Sequence, residues 1–368
     1  MAFGNWWKRW TEPGGRTGQD QPSADPNGPH STSADAADEA PARPDPDSAS
    51  WEVRSRGEPA AAPVSIRATE EQLLHALEWR KRILVDGPTG SRRPGDGAAL
   101  AKSLVGAGVG AVRQPPIAAQ RALALTRDMN ADLRELVRLF ETDPALAPRL
   151  LKTANSAWYR RGGDPVNSIS DAVRRVGMRG IESVVLGQMV SAVLCKPGGI
   201  YDGMVQKVWL HMQRTAPLAR RLAPAFEVDA ETAYALGLLH DVGKLVIFDH
   251  ISQLRHALHR EIQMPEPFLA SLLAHLHEPL GGLAALRWGM DTEAAGVIAG
   301  HHRRTTPPIP SRLAELIYVA ERLDLVLQRY QELDWEAIWK DGTVSADVAA
   351  VQDLMPVAED EDDPTTDP

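Results

Sequence analysis

The most chemically suggestive stretch of this 368-residue chain is Tyr234 to Leu245, YALGLLHDVGKL, where an apolar run leads into His240-Asp241 and then Gly243-Lys244. Adjacent residues on a helix project about 100° apart, so an imidazole and a carboxylate from one turn can converge on one cation. That donor pair suits zinc, iron or manganese. A His-Asp dipeptide alone has a plainer explanation, a core histidine hydrogen-bonded to its neighbour, so the chemistry depends on partners elsewhere. The second half of the chain offers them: His211 on a helix ahead of the pair, His277 before a glycine-led helix, His301-His302 at a helix end, and Glu321 in the last long helix. A helical bundle can bring such side chains to one centre. His250, His256, His259 and His275 read as polar-face or helix-edge residues and are assigned no role.

The elements that must position these residues are helices. Leucine and valine recur at three- and four-residue spacing over Ile117 to Thr126, Ala131 to Glu141, Asp143 to Asn155 and Ile169 to Leu194. Asp128 and Asn130 precede the second of these. Asp143-Pro144 reads as an N-cap followed by proline at the first helical position, and Ser170 opens the fourth. Asn155-Ser156-Ala157 ends a helix, and Gly162-Gly163-Asp164-Pro165 makes a loop. A second block is expected to hold helices over Val208 to Ala223, Glu231 to Leu239, Ile251 to Ile262, Pro267 to His275, Gly281 to Arg287, Thr292 to His301 and Ser311 to Arg329. Pro217 should kink the first of them or start a new turn. Alternating strand patterns are scarce, so the expected fold class is all-α.

Upstream, Thr69 with Gln72 forms a capping-box pattern before a short helix over Thr69 to Val85. The segment GPTGSRRPGDG lacks the Gly-Lys-Ser/Thr ending of a phosphate loop, and the glycines at 106, 108 and 110 do not match the dinucleotide fingerprint. Both read as linkers. From Thr11 to Pro63 the chain is rich in Pro, Gly, Ser, Ala and Asp and too poor in Leu and Ile to offset the entropy of ordering. Trp6, Trp7, Trp10 and Trp51 lie in that region, and Glu359 to Asp363 is an acidic run read as solvated. The expected organisation is a disordered tail (1–63), a short helix with a Gly/Pro-rich linker (64–111), a helical domain of two lobes (112–200 and 201–330), and an extension with an acidic tail (331–368).

Composition narrows the function. Hydrophobic residues make up 43%, enough for a substantial core built mainly of Leu, Ala and Val. A net charge of −9 argues against a general nucleic-acid footprint. The single Cys195 excludes an intramolecular disulfide framework and fits a reducing cytoplasm. No stretch reaches the roughly 18–20 apolar residues of a membrane span, and the N-terminus lacks the apolar core of a secretion signal.

Several separated motifs, in order, resemble the HDOD family. Gln114-Pro115-Pro116, Asp143-Pro144-Ala145-Leu146, Leu150 to Ala157 (LLKTANSA), Ser168 to Val173 (SISDAV) and Val176-Gly177 are similar to its N-terminal half. Gly237 to Leu245, His277 to Gly281, Arg287-Trp288-Gly289-Met290 and His301-His302 are similar to its C-terminal half. The resemblance implies an all-helical, two-lobed signalling or regulatory module, cytoplasmic, related to HD and HD-GYP phosphohydrolases and acting through contact with a signalling protein or a nucleotide-like small ligand. His211, His240, Asp241, His277, His301 and His302 fall where HD-GYP enzymes place metal ligands, and Glu321 matches their last ligand, an Asp. It implies a divalent Fe, Mn or Zn centre. If the module hydrolyses a phosphoester, Asp241 and Lys244 carry the chemistry, with Arg303 and Arg304 candidates for phosphate contact at the pocket mouth. The Glu and Gly-Tyr-Pro element that follows the paired histidines in HD-GYP enzymes is replaced by Arg303-Arg304-Thr305-Thr306-Pro307-Pro308.

Overall fold

In a computed structural model of the chain, the described residues are 67–86, 96–128, 130–194, 199–303, 310–328 and 333–355. The expected tails, the four N-terminal tryptophans, most of the GPTGSRRPGDG loop, Cys195, Arg304 and the acidic run lie outside them. Among the described residues every regular element is helical. The fold class is all-α, as the sequence periodicity predicts.

The helices are α1 (Glu70–Asp86), α2 (Asp96–Ala107), α3 (Ile117–Arg127), α4 (Leu133–Thr142), α5 (Leu146–Ala154), α6 (Ala157–Arg160) and α7 (Ile169–Leu194). They continue as α8 (Asp202–Leu222), α9 (Ala230–Leu239), α10 (Val242–Leu258), α11 (Glu266–Arg287), α12 (Thr292–Ala299), α13 (Arg312–Gln328), α14 (Trp335–Gly342) and α15 (Val348–Gln352). Local chemistry explains many starts. Thr69 and Gln72 make both bonds of the capping box ahead of α1. Asp132, Asp229 and Asp291 accept the orphan backbone N–H of Arg134, Thr232 and Ala294 at the starts of α4, α9 and α12. Asp143 does accept backbone N–H groups, but from Ala145 and Leu146, so α5 starts later than the Asp-Pro pattern predicts. Gly177 interrupts α7 with φ 70°, a conformation that glycine adopts without penalty. Asn155 pins the following loop by exchanging two bonds with the backbone of Val166.

Five expectations are corrected. Residues 96–107 are helical, not linker: Leu100, Ala101 and Leu104 form a buried stripe that the neighbouring glycines obscure. The helix expected from Ile251 begins at Val242, immediately after the His-Asp pair. The two helices expected on either side of Glu278 are the single α11, which runs through Pro279. His250 is buried, with Nε2 2.9 Å from Ser103 Oγ of α2, so it is not a polar-face residue. The polar segment after residue 330 also contains α14 and α15.

Helices α3–α7 carry the N-terminal motifs and α8–α13 the C-terminal ones, with α7 packed against both α9 and α10. Trp158 and Tyr159 of α6 join the two sets by donating to Glu231 of α9, which also receives Arg220 of α8 at 2.7 Å. The guanidinium of Arg220 sits 3.8 Å from the Tyr234 ring centroid. Close approach of α10 to α11 rests on Gly243. A Cβ there would fall 1.8 Å from the carbonyl oxygen of His277, so no other residue fits at this crossing.

Candidate metal centre

The crossing of α10 and α11 sets Asp241 beside His277. Around it α8 contributes His211, the α9–α10 junction His240, the end of α12 His301 and His302, and α13 Glu321. Asp241 is fully buried and its two oxygens face different partners. Oδ2 lies 3.8 Å from His211 Nε2 and 3.7 Å from His240 Nε2. Oδ1 lies 3.6 Å from both His277 Nε2 and His301 Nε2. Two triads of candidate ligand atoms result, His211–His240–Asp241 and His277–His301–His302, each within 4.8 Å. Glu321 closes the far side, with Oε2 3.4 Å from His302 Nδ1. All seven residues singled out in the sequence therefore meet.

The orientation of the rings follows from their other nitrogens. Nδ1 of His240, His277 and His301 lies 2.8, 2.6 and 2.6 Å from the carbonyl oxygens of Gly237, Leu273 and Ile298. A carbonyl only accepts, so Nδ1 carries the proton and Nε2 presents a lone pair to the centre. His211 Nδ1 is held in the same way by Asp324 Oδ2 at 2.7 Å, and Arg214 secures that carboxylate. Asp324 was not singled out in the sequence; its signal is the three-residue spacing from Glu321, which places both on one face of α13. The consequence is two confrontations of ring nitrogens, His211 with His240 at 3.1 Å and His277 with His302 at 3.0 Å.

These features fit a cation. Asp241 Oδ1, His301 Nε2 and both oxygens of Glu321 are buried without a hydrogen-bond partner, a costly state unless a further group satisfies them. Nitrogens on one metal at about 2.0–2.1 Å would stand roughly 3 Å apart, as these pairs do. Protonation states agree. Burial lowers the pKa of His240 to about 3, keeping its imidazole neutral. Burial and the Lys244 charge hold His277 well below its ordinary value. Burial pushes Asp241 and Glu321 up, but the Lys244 charge for the first, and His302 for the second, outweigh it, and both stay ionised. His301 goes the other way: burial lowers it, and Asp241 with Glu321 and Glu278 raises it further.

Two residues of the site have roles that differ from expectation or qualify it. Lys244 is 2% exposed and its Nζ donates to Asp241 Oδ2 at 2.6 Å, so it is an inner countercharge of the centre. Arg303 is not at a pocket mouth. It is buried, donates to the carbonyls of Gly342 and Thr343 at the end of α14, and stands 3.7 Å from Glu315. Arg303, directly after His302, has a positive φ of 50°. His302 is the most open donor, its side chain 16% exposed while the other six are at 5% or less.

With this geometry in view, the comparisons with known proteins decide the family. The HDOD domain profile matches residues 112–304. The chain belongs to the HDOD family. An uncharacterized protein of Treponema pallidum (strain Nichols) is 30% identical over 205 residues, 54% of this chain and 38% of its own length. The chain therefore spans little more than a third of that relative. Among solved structures, a candidate metal-dependent phosphohydrolase from Shewanella amazonensis SB2B superposes with TM-score 0.52 at 19% identity, over 77% of this chain and 97% of its own. A candidate phosphohydrolase from the same organism gives 0.51 at 21% identity, over 70% and 93%. An HDOD domain protein of unknown function from Geobacter sulfurreducens gives 0.50 at 18%, over 76% and 94%. At these identities the structures establish the shared HDOD/HD-like helical fold. None of the described helices is long and apolar enough to cross a membrane.

Proposed function

We propose that this HDOD chain is a signalling or regulatory module of the cytoplasm that works through contact with a signalling protein or a nucleotide-like small ligand, around a divalent Fe, Mn or Zn centre. The observation that carries the reading is the convergence of seven donors in a nearly closed interior, His302 being the most exposed of them. Such a centre ties five helical regions together, so its occupancy governs their packing. The residues after His302 support contact over turnover, because Arg303 is spent on the C-terminal helices and not on a substrate. The acidic net charge opposes a nucleic-acid partner.

A second reading, a metal-dependent phosphoester hydrolase, is favoured by one specific feature: Asp241 directs an oxygen to each histidine set. A bound cation would lower the pKa of a water and screen charge on phosphoryl oxygens. In that reading Asp241 bridges the donor sets, the four anchored histidines fix their lone pairs, and the Lys244 ammonium exchanges Asp241 for a phosphate oxygen.

Both readings meet in one experiment. Protein purified without chelator is assayed for Zn, Fe and Mn, then for turnover of bis(p-nitrophenyl) phosphate. Bound metal without turnover supports the regulatory module. Turnover that His240→Ala and Asp241→Ala abolish replaces it with the hydrolase, and absence of stoichiometric metal defeats both.

A further inference from the structure

Helix α11 carries His277 and passes through Pro279 two residues later. Proline has no backbone N–H, so the carbonyl of His275, four residues before it, loses the donor that a regular helix would supply. That position is answered from outside the helix. Arg80 of α1 donates from Nη1 to the His275 carbonyl at 3.1 Å, and the same nitrogen lies 2.6 Å from Glu278 Oε2. Both side chains of this pair are buried, 7% and 2% exposed. One guanidinium thus bridges two points of the helical turn that bears His277, one on each side of it.

From this we infer that Arg80 is a positioning residue for the metal centre: it splints α11 across the proline and fixes the direction of His277 Nε2. The inference rests on the metal-centre reading. Arg80 lies outside the residues matched to the HDOD profile. Further contacts seat α1 and its flank on the same helix and its neighbour. Ala68 donates its backbone N–H to the Thr292 carbonyl at 2.8 Å, and Leu73 fills the space above Gly282, where a Cβ would come within 2.9 Å of it. A displacement of α1 therefore reaches His277. Partners of ligand histidines typically contribute 10–100-fold to metal affinity, and Arg80 acts one bond further out, through the helix backbone and Glu278.

The test compares full-length wild type with Arg80→Met, Arg80→Lys and Glu278→Gln. Zinc affinity is measured by competition with a chromophoric chelator, the Co(II)-substituted visible spectrum is recorded, and metal-free melting is followed in parallel. The expected result is a zinc affinity about 10-fold weaker in Arg80→Met, with a changed Co(II) spectrum and partial recovery in Arg80→Lys. Arg113→Met, which breaks the Arg113–Asp249 pair at 2.7 Å away from the ligands, should lower the melting temperature and leave affinity and spectrum unchanged. Should Arg80→Met not fold, Glu278→Gln carries the test, since it keeps the volume and weakens the same splint. Wild-type affinity and spectrum in the folded Arg80 and Glu278 variants, with lowered melting alone, overturns the inference. If wild type binds neither zinc nor cobalt, the metal-centre reading has failed, and this inference with it.

Discussion

Gly243→Ala tests the packing on which the centre depends. The added Cβ would lie 1.8 Å from the His277 carbonyl oxygen and 2.7 Å from the Gly281 backbone nitrogen. Both are backbone atoms, so no side-chain rotation relieves the overlap. Reaching even the 3.0 Å lower bound for a Cβ contact needs 3.0 − 1.8 = 1.2 Å of separation between α10 and α11. Overpacking ordinarily costs about 1–3 kcal/mol, and a helix-on-helix backbone clash belongs at the top of that range, about 3 kcal/mol. A domain of this size loses roughly 2–4 °C of Tm per kcal/mol, which makes the expected fall about 6–12 °C. The same separation draws His277 from Asp241, now 3.6 Å apart, by several times the ~0.2 Å that metal–ligand distances tolerate. Metal-free melting by circular dichroism and zinc competition measure both effects. A variant that melts within about 2 °C of wild type and binds zinc as tightly would refute the reasoning.

Three further outcomes are expected. His250, beside Asp249 and Arg113 on the α2–α10 contact, has its pKa lowered by burial against the opposing effect of Asp249. Its stabilising contribution is present above the unfolded value near 6.5 and is lost as pH falls through the folded one; urea unfolding at pH 7.5 and 5 should therefore show a smaller acid loss in His250→Asn than in wild type. Arg220→Met leaves the Glu231 carboxylate without its guanidinium at the α6–α9 joint; loss of about 3 kcal/mol is expected, read by chemical denaturation, with Arg220→Lys intermediate. Glu315→Ala removes the acceptor of Ser345 N and Oγ, at 2.9 and 2.7 Å, and should speed proteolysis within residues 333–355 while α8–α12 stay protected, as mass analysis of the fragments would show.

Much of this arrangement was legible in the residues themselves. The helical period found α3–α5, α7–α9 and α12–α13 because each buries one apolar stripe, and His240-Asp241 with its four histidines and Glu321 stood out because such side chains have few other reasons to sit in apolar helices. The misses share a cause. Pro279 and Gly281-Gly282 look like breakers, yet inside α11 they permit close packing, and the missing proline donor is replaced by Arg80, a partner some 200 residues away in sequence. The glycines at 106 and 108 likewise hid α2. His250 and Arg303 were misplaced because their partners, Ser103 and the carbonyls of Gly342 and Thr343, lie in segments whose folding depends on tertiary contact.

The central claim is that seven side chains around Asp241 form a metal centre. Its most direct test is elemental analysis of full-length protein, equilibrated with Zn, Fe or Mn and freed of loose ions, beside Asp241→Ala and Glu321→Ala. The account expects stoichiometric metal in the wild type, reaching two ions per chain if both donor triads fill, and loss of bound metal in Asp241→Ala. A wild type that folds as described and retains none of the three metals would contradict it.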